Sequence, residues 1–321
     1  MKVVFCGLGS IGNRLARLVQ NNFDYEVFAF RTTQGKQNDL GIPEVYSWDE
    51  VIALNPDVAF ITNPTDQHIS YATKFAENNA HLFIEKPLSH TWQGIEDLMS
   101  VCVNKNLTCY TAYCMRFHPV LKKVKELLID KRVFKARAIC ASFLPDWRKN
   151  KDPKETYSAS LEKGGGVLLD LSHELDYLFY LFGNDLTDIH CQAGRVAGIT
   201  EDSEEFVDAT FQLSQDVFVS LHLDYISRKG ERTLKVDFQD GYLFADFLNF
   251  SIQYQCGADK QEYSFEADID QMYTDQLQYF FSILGQSEYM NDLNEASTNL
   301  QRILQIREIV SSKITQPLVH S

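Results

Sequence analysis

A glycine pattern near the start of the chain constrains the fold more than any other feature. Gly7, Gly9 and Gly12 directly follow the apolar run 2–6 and precede a segment with helical apolar spacing at 11–19. Between a strand and a helix, the first glycine permits a tight turn and the second lets backbone approach a pyrophosphate, while the third lets the helix pack on the strand. The N–H groups at the helix start then face the phosphates. We therefore predict dinucleotide binding, with a glycine turn that serves only packing as the alternative. The predicted contacts are Gly7, Gly9, Ser10, Ile11 and Gly12.

Strand-like and helix-like segments alternate over the first 118 residues. Short apolar runs typical of strands occupy residues 26–30, 57–62, 81–84 and 107–110. Helical spacing lies between them at residues 67–78 and 91–103. Such alternation with short connections is typical of a doubly wound parallel sheet. We therefore predict an α/β Rossmann domain at residues 1–118.

The pattern changes after Pro119. A long strand-like segment at 133–144 is followed by six more between residues 186 and 265, and an Asp-Gly pair between two of them is a hairpin signal. Two helical segments, at 269–284 and 295–310, end the pattern. We predict that residues 119–321 form an α+β domain with a large, mostly antiparallel open sheet, which binds the substrate.

Charge and cysteine usage exclude several classes of protein. The 321 residues include 44 acidic and 30 basic side chains, a formal charge of −14, whereas nucleic-acid binders need a basic face. No apolar run approaches the roughly 18 residues of a membrane span, and the first residues lack the apolar core of a signal peptide. The seven cysteines are odd in number and lack Cys-x-x-Cys pairs, which favours reduced thiols over a disulfide frame or a zinc site. These features predict a cytoplasmic protein without a metal and without a nucleic-acid or membrane partner.

The end of the second strand bears on which dinucleotide is bound. NAD-binding Rossmann folds usually place an acidic residue there to accept the ribose 2′-hydroxyl, whereas this chain has Arg31, Thr32 and Thr33. A guanidinium and hydroxyl groups suit a 2′-phosphate. We therefore predict that NADP(H) is favoured over NAD(H), with an arginine that merely lies in a surface loop as the alternative.

Two further segments, residues 63–68 and 85–87, each follow the carboxyl end of a predicted strand, which is where open α/β sheets bind ligands. A lysine before a proline is held extended, so the ammonium of Lys86 in Glu-Lys-Pro can be aimed into a cleft, although a plain Lys-Pro loop is the usual interpretation. We predict that these segments contribute to cofactor binding through Asn63, Pro64, His68 and Glu85.

A triple glycine at 164–166 leads into a helical pattern. Leucine and phenylalanine side chains from Leu171 onward form one apolar stripe, and Asp170, His173 and Tyr177 fall together on the opposite side. Such a polar row can be simply solvated surface. The preceding glycines, which allow close backbone approach, favour a functional site.

Together these segments resemble the Gfo/Idh/MocA family, the relatives of glucose-fructose oxidoreductase and inositol dehydrogenase. Five segments carry the similarity, and they occur in the same order as in the family. They are GLGSIG, NPTDQH, EKP, Tyr113-x-x-Arg116-Phe117-x-Pro119 and GGGVLLDLSHELD. The resemblance implies a Rossmann domain followed by an α/β domain whose large open sheet often serves dimerisation. It also implies hydride transfer between nicotinamide and a carbinol or keto carbon of a sugar, sugar derivative or cyclitol.

The resemblance also assigns roles to residues. Lys86 matches the lysine that stabilises the reacting hydroxyl or relays its proton, and His173 matches the catalytic histidine through the following His-x-x-Asp to Asp176. Relatives usually carry an aspartate four residues before that histidine, whereas Asp170 precedes it by three. This spacing departs from the family pattern, so the resemblance supports the role of Asp170 less directly than the roles of Lys86 and His173. Histidine serves as general acid or base, and an ammonium stabilises an alkoxide. The predicted catalytic residues are Lys86, His173 and Asp170.

The substrate prediction rests on a loop upstream of the glycines. Trp147 and Tyr157 offer surfaces on which a sugar can stack, and Arg148 could hold a carboxylate or phosphate, although a surface loop with one packed tryptophan is as plausible. An acidic or nucleotide-linked sugar follows as the expected substrate. The predicted substrate-binding residues are Tyr113, Arg116, Trp147, Arg148, Tyr157 and Asp176.

The sequence leaves two alternative functions open, and it also predicts an oligomer. The resembling family includes non-catalytic members that bind a dinucleotide only to regulate a partner, and a lyase or epimerase could use the cofactor transiently. The presence of both Lys86 and His173 favours catalysis, because a sensor needs neither. The alternating apolar residues of 217–223 predict an exposed sheet face, and hence a homodimer or a dimer of dimers.

Overall fold

The computed structural model describes residues 1–32, 38–148 and 152–311. The chain forms two compact units. The first contains Met1–Cys114 and Ile269–Leu300, and the second contains Met115–Asp268 and the chain from Gln301 onward. This division differs from the predicted one at residue 118, because a segment late in the sequence belongs to the first unit.

Strands and helices alternate in the first 114 residues. The strands are β1 (Lys2–Cys6), β2 (Glu26–Phe30), β3 (Glu44–Val45), β4 (Val58–Ile61), β5 (His81–Glu85) and β6 (Cys109–Ala112). The helices are α1 (Ser10–Asn22), α2 (Trp48–Leu54), α3 (His68–Glu77) and α4 (Ile95–Lys105). All strand pairs are parallel and the order is β3-β2-β1-β4-β5-β6, which confirms the predicted doubly wound sheet.

The remaining chain is richer in strands. The helices are α5 (Pro119–Leu127), α6 (Leu144–Trp147), α7 (Val167–Asp170), α8 (His173–Phe182), α9 (Ile269–Ser282) and α10 (Leu293–Ser311). The strands are β7 (Val133–Ala141), β8 (Thr187–Gly194), β9 (Phe206–Leu213), β10 (Val217–Asp224), β11 (Glu231–Phe238), β12 (Gly241–Asp246), β13 (Ser251–Cys256) and β14 (Asp259–Ser264).

These eight strands form one sheet in the order β14-β13-β12-β11-β7-β10-β9-β8. Every pair is antiparallel except β7 with β10, which confirms the predicted large, mostly antiparallel sheet. The edge strand β14 has no counterpart in the sequence prediction. Its residues are polar and largely exposed, so it lacks the apolar alternation that marks a half-buried strand.

An aromatic row explains why α9 belongs to the first unit. Phe5, Phe60 and Phe83 on the adjacent strands β1, β4 and β5 stack with centroids 4.4 and 4.5 Å apart. Phe280 of α9 packs edge-on against this row, 5.7 Å from Phe60 and 5.2 Å from Phe83. Burying large aromatic side chains is among the strongest contributions to a core. The apolar face of α9 therefore completes the core of the parallel sheet.

The eight-stranded sheet has one face packed into a core and one that carries exposed aromatic residues. Helices α5, α7 and α8 and the end of α10 contribute to the buried cluster with inward-facing residues such as Val219 and Leu221 of β10. On the opposite face, Phe218 and Tyr242 keep 41% and 36% of their surface exposed. The alternation predicted along β10 is therefore present.

Two chain-wide features complete the fold. None of the helices within residues 1–32, 38–148 and 152–311 has the length and apolar character needed to span a membrane. All seven cysteines are free thiols, and six of them are buried.

Candidate active site

The glycine turn after β1 has the geometry of a dinucleotide cradle. Gly7 has φ +96°, and a Cβ there would lie 3.0 Å from the backbone of Asn63. A Cβ on Gly12 would lie 2.2 Å from the carbonyl oxygen of Gly7, so both positions require glycine. A Cβ on Gly9 would meet nothing within 4 Å, and Gly9 leaves the N-terminus of α1 without a side-chain cap. Open space thus adjoins uncapped N–H groups, which fits a pyrophosphate.

Asn63 and Pro64 follow β4 beside this turn. The hydroxyl of Thr62 donates to the carbonyl oxygen of Gly7 at 2.6 Å and fixes the two loops together. Asn63 Nδ2 donates to Gln67 Oε1 at 3.4 Å, whereas Asn63 Oδ1 is buried without a hydrogen-bond partner in the part of the chain that the structure describes. Because buried acceptors are rarely left unsatisfied, this atom fits a donor on a bound dinucleotide.

His68 joins two loops rather than facing open space. Its imidazole is buried, with Nε2 3.0 Å from the carbonyl oxygen of Asn63 and Nδ1 2.9 Å from that of Pro87. Burial lowers the pKa of His68 to about 4, although the carbonyl contacts act in the opposite direction. His68 was predicted to contact the cofactor, but its ring is engaged with backbone, so the geometry supports a positioning role.

Glu85 and Lys86 stand at the carboxyl end of β5. Burial raises the pKa of Glu85 to about 7, and the charge of Lys86 opposes that rise. Tyr273 of α9, which is buried, also lies within electrostatic range of Glu85, and the guanidinium of Arg14 lies 5.2 Å from its ring centroid. Sequence reasoning missed Tyr273, because nothing local in α9 indicates that it returns to this strand end.

Arg31 has a partner that the sequence did not suggest. Strand β3 pairs with β2 and places Glu44 beside the end of β2. Arg31 Nη1 donates to the two carboxylate oxygens of Glu44 at 2.9 and 3.1 Å. Hydrogen bonds from Tyr46 and Asn38 lower the pKa of Glu44 to about 2, so it is ionised. An acidic residue therefore stands at the edge where NAD-binding folds place one, although it comes from the next strand. Thr32 is exposed, and Thr33 lies outside the described residues.

The triple glycine of the second unit packs against its own chain. A Cβ on Gly165 would lie 2.2 Å from the carbonyl oxygen of Tyr157, and one on Gly166 would lie 2.3 Å from Glu204 Oε1. The close backbone approach predicted from these glycines is thus present, but the observed neighbours are protein groups. The glycines fix the backbone path that leads into α7.

The predicted helix after the glycines is two helices. The short α7 ends at Asp170 and α8 begins at His173, so these residues do not share one helical row. Tyr177 is also fully buried, which contradicts the predicted polar face opposite an apolar stripe. The two carboxylates of α8 are buried as well, and each forms an ion pair with an arginine. Glu174 pairs with Arg232 at 2.7 Å, and Asp176 pairs with Arg116. His173 is half-buried at the start of α8.

Asp170 lies among aromatic hydroxyl groups. The hydroxyl of Tyr225 donates to Asp170 Oδ2 at 2.6 Å. The charge of Asp170, together with burial, raises the pKa of Tyr157, whose hydroxyl also hydrogen-bonds to that carboxylate. Tyrosine donors favour the ionised form of a carboxyl group. The structure therefore connects Asp170 with Tyr157, one of the predicted substrate residues.

Trp147 and Arg148 extend the same cluster. Trp147 is 42% exposed, its indole N–H donates to Ser142 Oγ at 3.0 Å, and its ring meets that of Tyr225 edge-on at 5.5 Å. The guanidinium of Arg148 lies 5.4 Å from the centroid of Tyr157. A stacking surface and a cation thus adjoin the two tyrosines that hydrogen-bond to Asp170.

The other three predicted substrate residues, Arg116, Asp176 and Tyr113, are buried and lie outside this cluster. Arg116 Nε and Nη2 donate to Asp176 at 2.9 and 2.6 Å, and neither side chain has exposed surface. A buried, bidentate pair of this kind has its donors and acceptors directed at each other, so we correct the prediction that these two residues contact substrate. Tyr113 is likewise buried, at 1% exposure.

Side chains that could bind a metal ion are dispersed in the part of the chain that the structure describes. Across the described ranges 1–32, 38–148 and 152–311, no group of three or more His, Cys, Asp or Glu side chains could hold a metal ion.

Comparisons with known proteins agree with this geometry. The chain is 25% identical over 250 residues to an uncharacterized oxidoreductase of Streptococcus pneumoniae, covering 76% of this chain and 68% of that protein. It is 24% identical over 211 residues to the UDP-N-acetylglucosamine 3-dehydrogenase of Acidithiobacillus ferrooxidans, covering 65% of this chain and 62% of that protein.

Solved structures share the fold over almost the whole chain. The structure of that UDP-N-acetylglucosamine 3-dehydrogenase superposes with a TM-score of 0.81 at 18% identity, covering 98% of each chain. A levoglucosan dehydrogenase in complex with NADH and levoglucosan superposes with a TM-score of 0.84 at 15% identity, again over 98% of each chain.

Family models match both parts of the sequence. The model described as an oxidoreductase family with an NAD-binding Rossmann fold matches residues 1–113, and the model of the GFO/IDH/MocA C-terminal domain matches residues 121–244. The resemblance inferred from the motifs is thereby confirmed, and the chain belongs to the Gfo/Idh/MocA family of oxidoreductases.

Proposed function

We propose that this protein is an NAD(P)-dependent dehydrogenase or reductase that acts on a carbinol or keto carbon of a sugar, sugar derivative or cyclitol. The observation that carries the proposal is the cluster around Asp170, where an ionisable carboxyl group adjoins two tyrosine hydroxyls, an exposed tryptophan and an arginine. Aromatic faces combined with hydrogen-bonding groups suit a polyhydroxylated ring. Two of the similar proteins named above are a UDP-N-acetylglucosamine 3-dehydrogenase and a levoglucosan dehydrogenase, which supports the same class of substrate.

The chain supplies binding and proton transfer in this proposal. The nicotinamide cofactor, when bound, supplies or accepts the hydride. Gly7, Gly9 and the first turn of α1 would hold its pyrophosphate, and Asn63 Oδ1 would accept a hydrogen bond from a donor group elsewhere on the dinucleotide. His173 acts as general base or acid on the substrate oxygen, and the ammonium of Lys86 stabilises the alkoxide that develops there.

Asp170 has a supporting catalytic role in the proposal. Its carboxyl group, held by the hydroxyls of Tyr225 and Tyr157, anchors the end of α7. Because Asp170 ends α7 and His173 begins α8, this anchor orients the segment that carries His173.

A substrate screen with both cofactors tests the function. The purified protein is mixed with panels of sugars, sugar acids, nucleotide-linked sugars and cyclitols, and the absorbance of reduced nicotinamide is followed in both directions. Dehydrogenation of at least one panel member is expected. Product formation without net change in reduced nicotinamide would indicate a lyase or epimerase, and tight dinucleotide binding without any product would indicate a sensor.

For the cofactor we propose a preference for NADP(H), carried by Arg31 with Glu44 as the group that orients it. Calorimetry on Arg31→Ala is expected to show NADP(H) affinity lowered roughly tenfold, the loss of a partly exposed charge-assisted contact, with NAD(H) affinity nearly unchanged. Arg31→Asp should shift the preference toward NAD(H), because its carboxylate repels a 2′-phosphate.

Glu44→Gln is the matched variant for this prediction. It removes the opposing charge beside Arg31 and should strengthen NADP(H) binding. Unchanged NADP(H) affinity in Arg31→Ala would instead make Arg31 a loop residue whose only role is the pair with Glu44.

We propose a homodimer, or a dimer of dimers, that buries the face of the eight-stranded sheet bearing Phe218 and Tyr242. Light scattering at micromolar concentration is expected to give at least twice the mass of one chain. Phe218→Lys should shift the protein toward the monomer, because it places a charge in the apolar interface. A wild-type protein that stays monomeric over this range would contradict the proposal.

We also propose a cytoplasmic location. The seven free cysteines, six of them buried, suit a reducing compartment. Fractionation of the native host should recover the protein with cytoplasmic enzymes.

A further inference from the structure

A buried carboxyl group outside the proposed chemistry lies under the triple-glycine turn of the second unit. Glu204, just before β9, has 1% of its surface exposed. Its Oε1 accepts the N–H of Leu168 at 3.2 Å, and its carbonyl oxygen accepts the N–H of Val167 at 3.2 Å. Its Oε2 is buried and has no hydrogen-bond partner within the described ranges 1–32, 38–148 and 152–311. Glu204 thus holds the first turn of α7 at two points.

The glycine turn is shaped around this carboxyl group. Gly166 has φ +105°, and a Cβ on it would lie 2.3 Å from Glu204 Oε1 and 2.5 Å from Oε2. The carbonyl oxygen of Gly166 accepts the N–H of Asp170 at 3.0 Å. A continuous set of contacts therefore runs from the Glu204 side chain through Gly166 and α7 to the backbone of Asp170.

Three charged or titratable groups from other elements face Glu204. They are Asp170 at the end of α7, Arg307 of α10 and Tyr225 after β10. Burial and, to a smaller extent, the charge of Asp170 raise the pKa of Glu204 to about 7, against the opposing effects of Arg307 and of backbone hydrogen bonds. Two neighbouring carboxylates in a buried place cannot both ionise without repulsion.

We propose that Glu204 is a positioning residue for Asp170: its buried carboxyl group fixes the turn from Gly166 into α7 and thereby places the backbone that carries Asp170. The step rests on the proposed role of Asp170. The carboxyl group of Asp170 accepts hydrogen bonds from two tyrosine hydroxyls, whereas Glu204 Oε1 accepts the backbone N–H of Leu168. Glu204 therefore holds the backbone of the turn, and Asp170 meets the aromatic side chains of the proposed site.

The proposal has a defined dependence on pH. Because the pKa of Glu204 is raised in the folded protein above the ordinary value of about 4.3, the folded state binds a proton that the unfolded state releases. The resulting stabilisation is complete at low pH and is lost as the pH rises through about 7. The same rise places a negative charge on Glu204 under the turn that leads to Asp170.

Three variants test the proposal in the full chain. Glu204→Gln keeps the shape and the neutral charge, Glu204→Ala removes the support of the turn, and Glu201→Gln alters an exposed glutamate in the same segment as a control. Thermal midpoints are measured between pH 5.5 and 8.5, about one and a half units on either side of neutrality. Turnover and KM are measured on a substrate from the screen over the same range.

The expected results separate positioning from a merely structural role. The thermal midpoints of wild type and Glu201→Gln should fall as the pH rises through about 7, and Glu204→Gln should lack that fall. Glu204→Gln should retain wild-type turnover at the acidic end, whereas Glu204→Ala should lose roughly tenfold or more in turnover with little change in KM. If Glu204→Gln keeps the wild-type pH dependence of stability, or loses turnover as Glu204→Ala does, the proposal is overturned.

Asp170→Asn distinguishes failure of this inference from failure of the proposed function. Wild-type turnover in Asp170→Asn would remove the catalytic role of Asp170. The stability measurements on Glu204 do not depend on turnover, so they still decide whether Glu204 retains its proton.

Discussion

Replacement of Lys86 by methionine, or of His173 by glutamine, is expected to lower turnover by roughly 10²–10⁴, the usual contribution of a positioned acid, base or charge. Both substitutions keep most of the side-chain volume and remove the proposed chemistry. Dinucleotide affinity should change little, because neither residue is assigned to the pyrophosphate. Steady-state kinetics and calorimetry on the same preparations measure the two quantities separately.

A matched surface variant gives the baseline for this experiment. Lys105→Met at the end of α4 alters a lysine at an exposed position and should retain full turnover. Turnover within threefold of wild type in both Lys86→Met and His173→Gln would refute the enzyme proposal and favour the dinucleotide sensor. A loss of affinity instead of turnover would move Lys86 into the cofactor-binding group.

Asp176→Ala is expected to destabilise the second unit by about 3–5 kcal/mol, because it leaves the guanidinium of Arg116 buried without its counter-charge. The guanidinium lies 4.4 Å from the centroid of Tyr180, on the same helix as Asp176, so the damage should spread along α8. Denaturant unfolding followed by circular dichroism gives the loss, and hydrogen exchange of α8 amides locates it.

Two comparisons make this measurement specific. Glu126→Ala breaks a surface pair with Lys123 and should cost no more than about 1 kcal/mol. The double variant Arg116→Met with Asp176→Leu should recover much of the loss, since apolar residues can replace a buried ion pair. A cost for Asp176→Ala as small as that for Glu126→Ala would contradict the buried pair.

The parts of the fold that follow from local patterns were predictable. A strand, a glycine turn and a helix within the first 22 residues already specify a Rossmann start, and alternating apolar residues such as those of β10 specify a half-buried strand. The break between α7 and α8 was not predictable, because neither Leu171 nor Ser172 is a helix breaker.

The site was predictable in its residue types more than in its contacts. Asp170, Tyr157, Trp147 and Arg148 were identified from the sequence. In the structure Tyr225, which gave no local signal, joins Trp147 to Asp170. Charged residues such as Asp176 are normally taken as exposed, and only a distant partner makes their burial tolerable. The partner of Arg31 follows from the pairing of β2 with β3, and the partners of Asp170 follow from packing between segments distant in the chain, neither of which one sequence displays.

The packing of Phe280 against the aromatic row of the parallel sheet has a consequence for biosynthesis. A ribosome synthesises β1, β4 and β5 within the first 85 residues, but the side chain that covers Phe60 and Phe83 follows about 200 residues later. During that interval the nascent N-terminal segment presents an uncovered aromatic surface of the kind that chaperones bind. The core of the native first unit is therefore completed only after the chain of the second unit's sheet has been synthesised, which delays the folding of the first unit until translation is nearly complete.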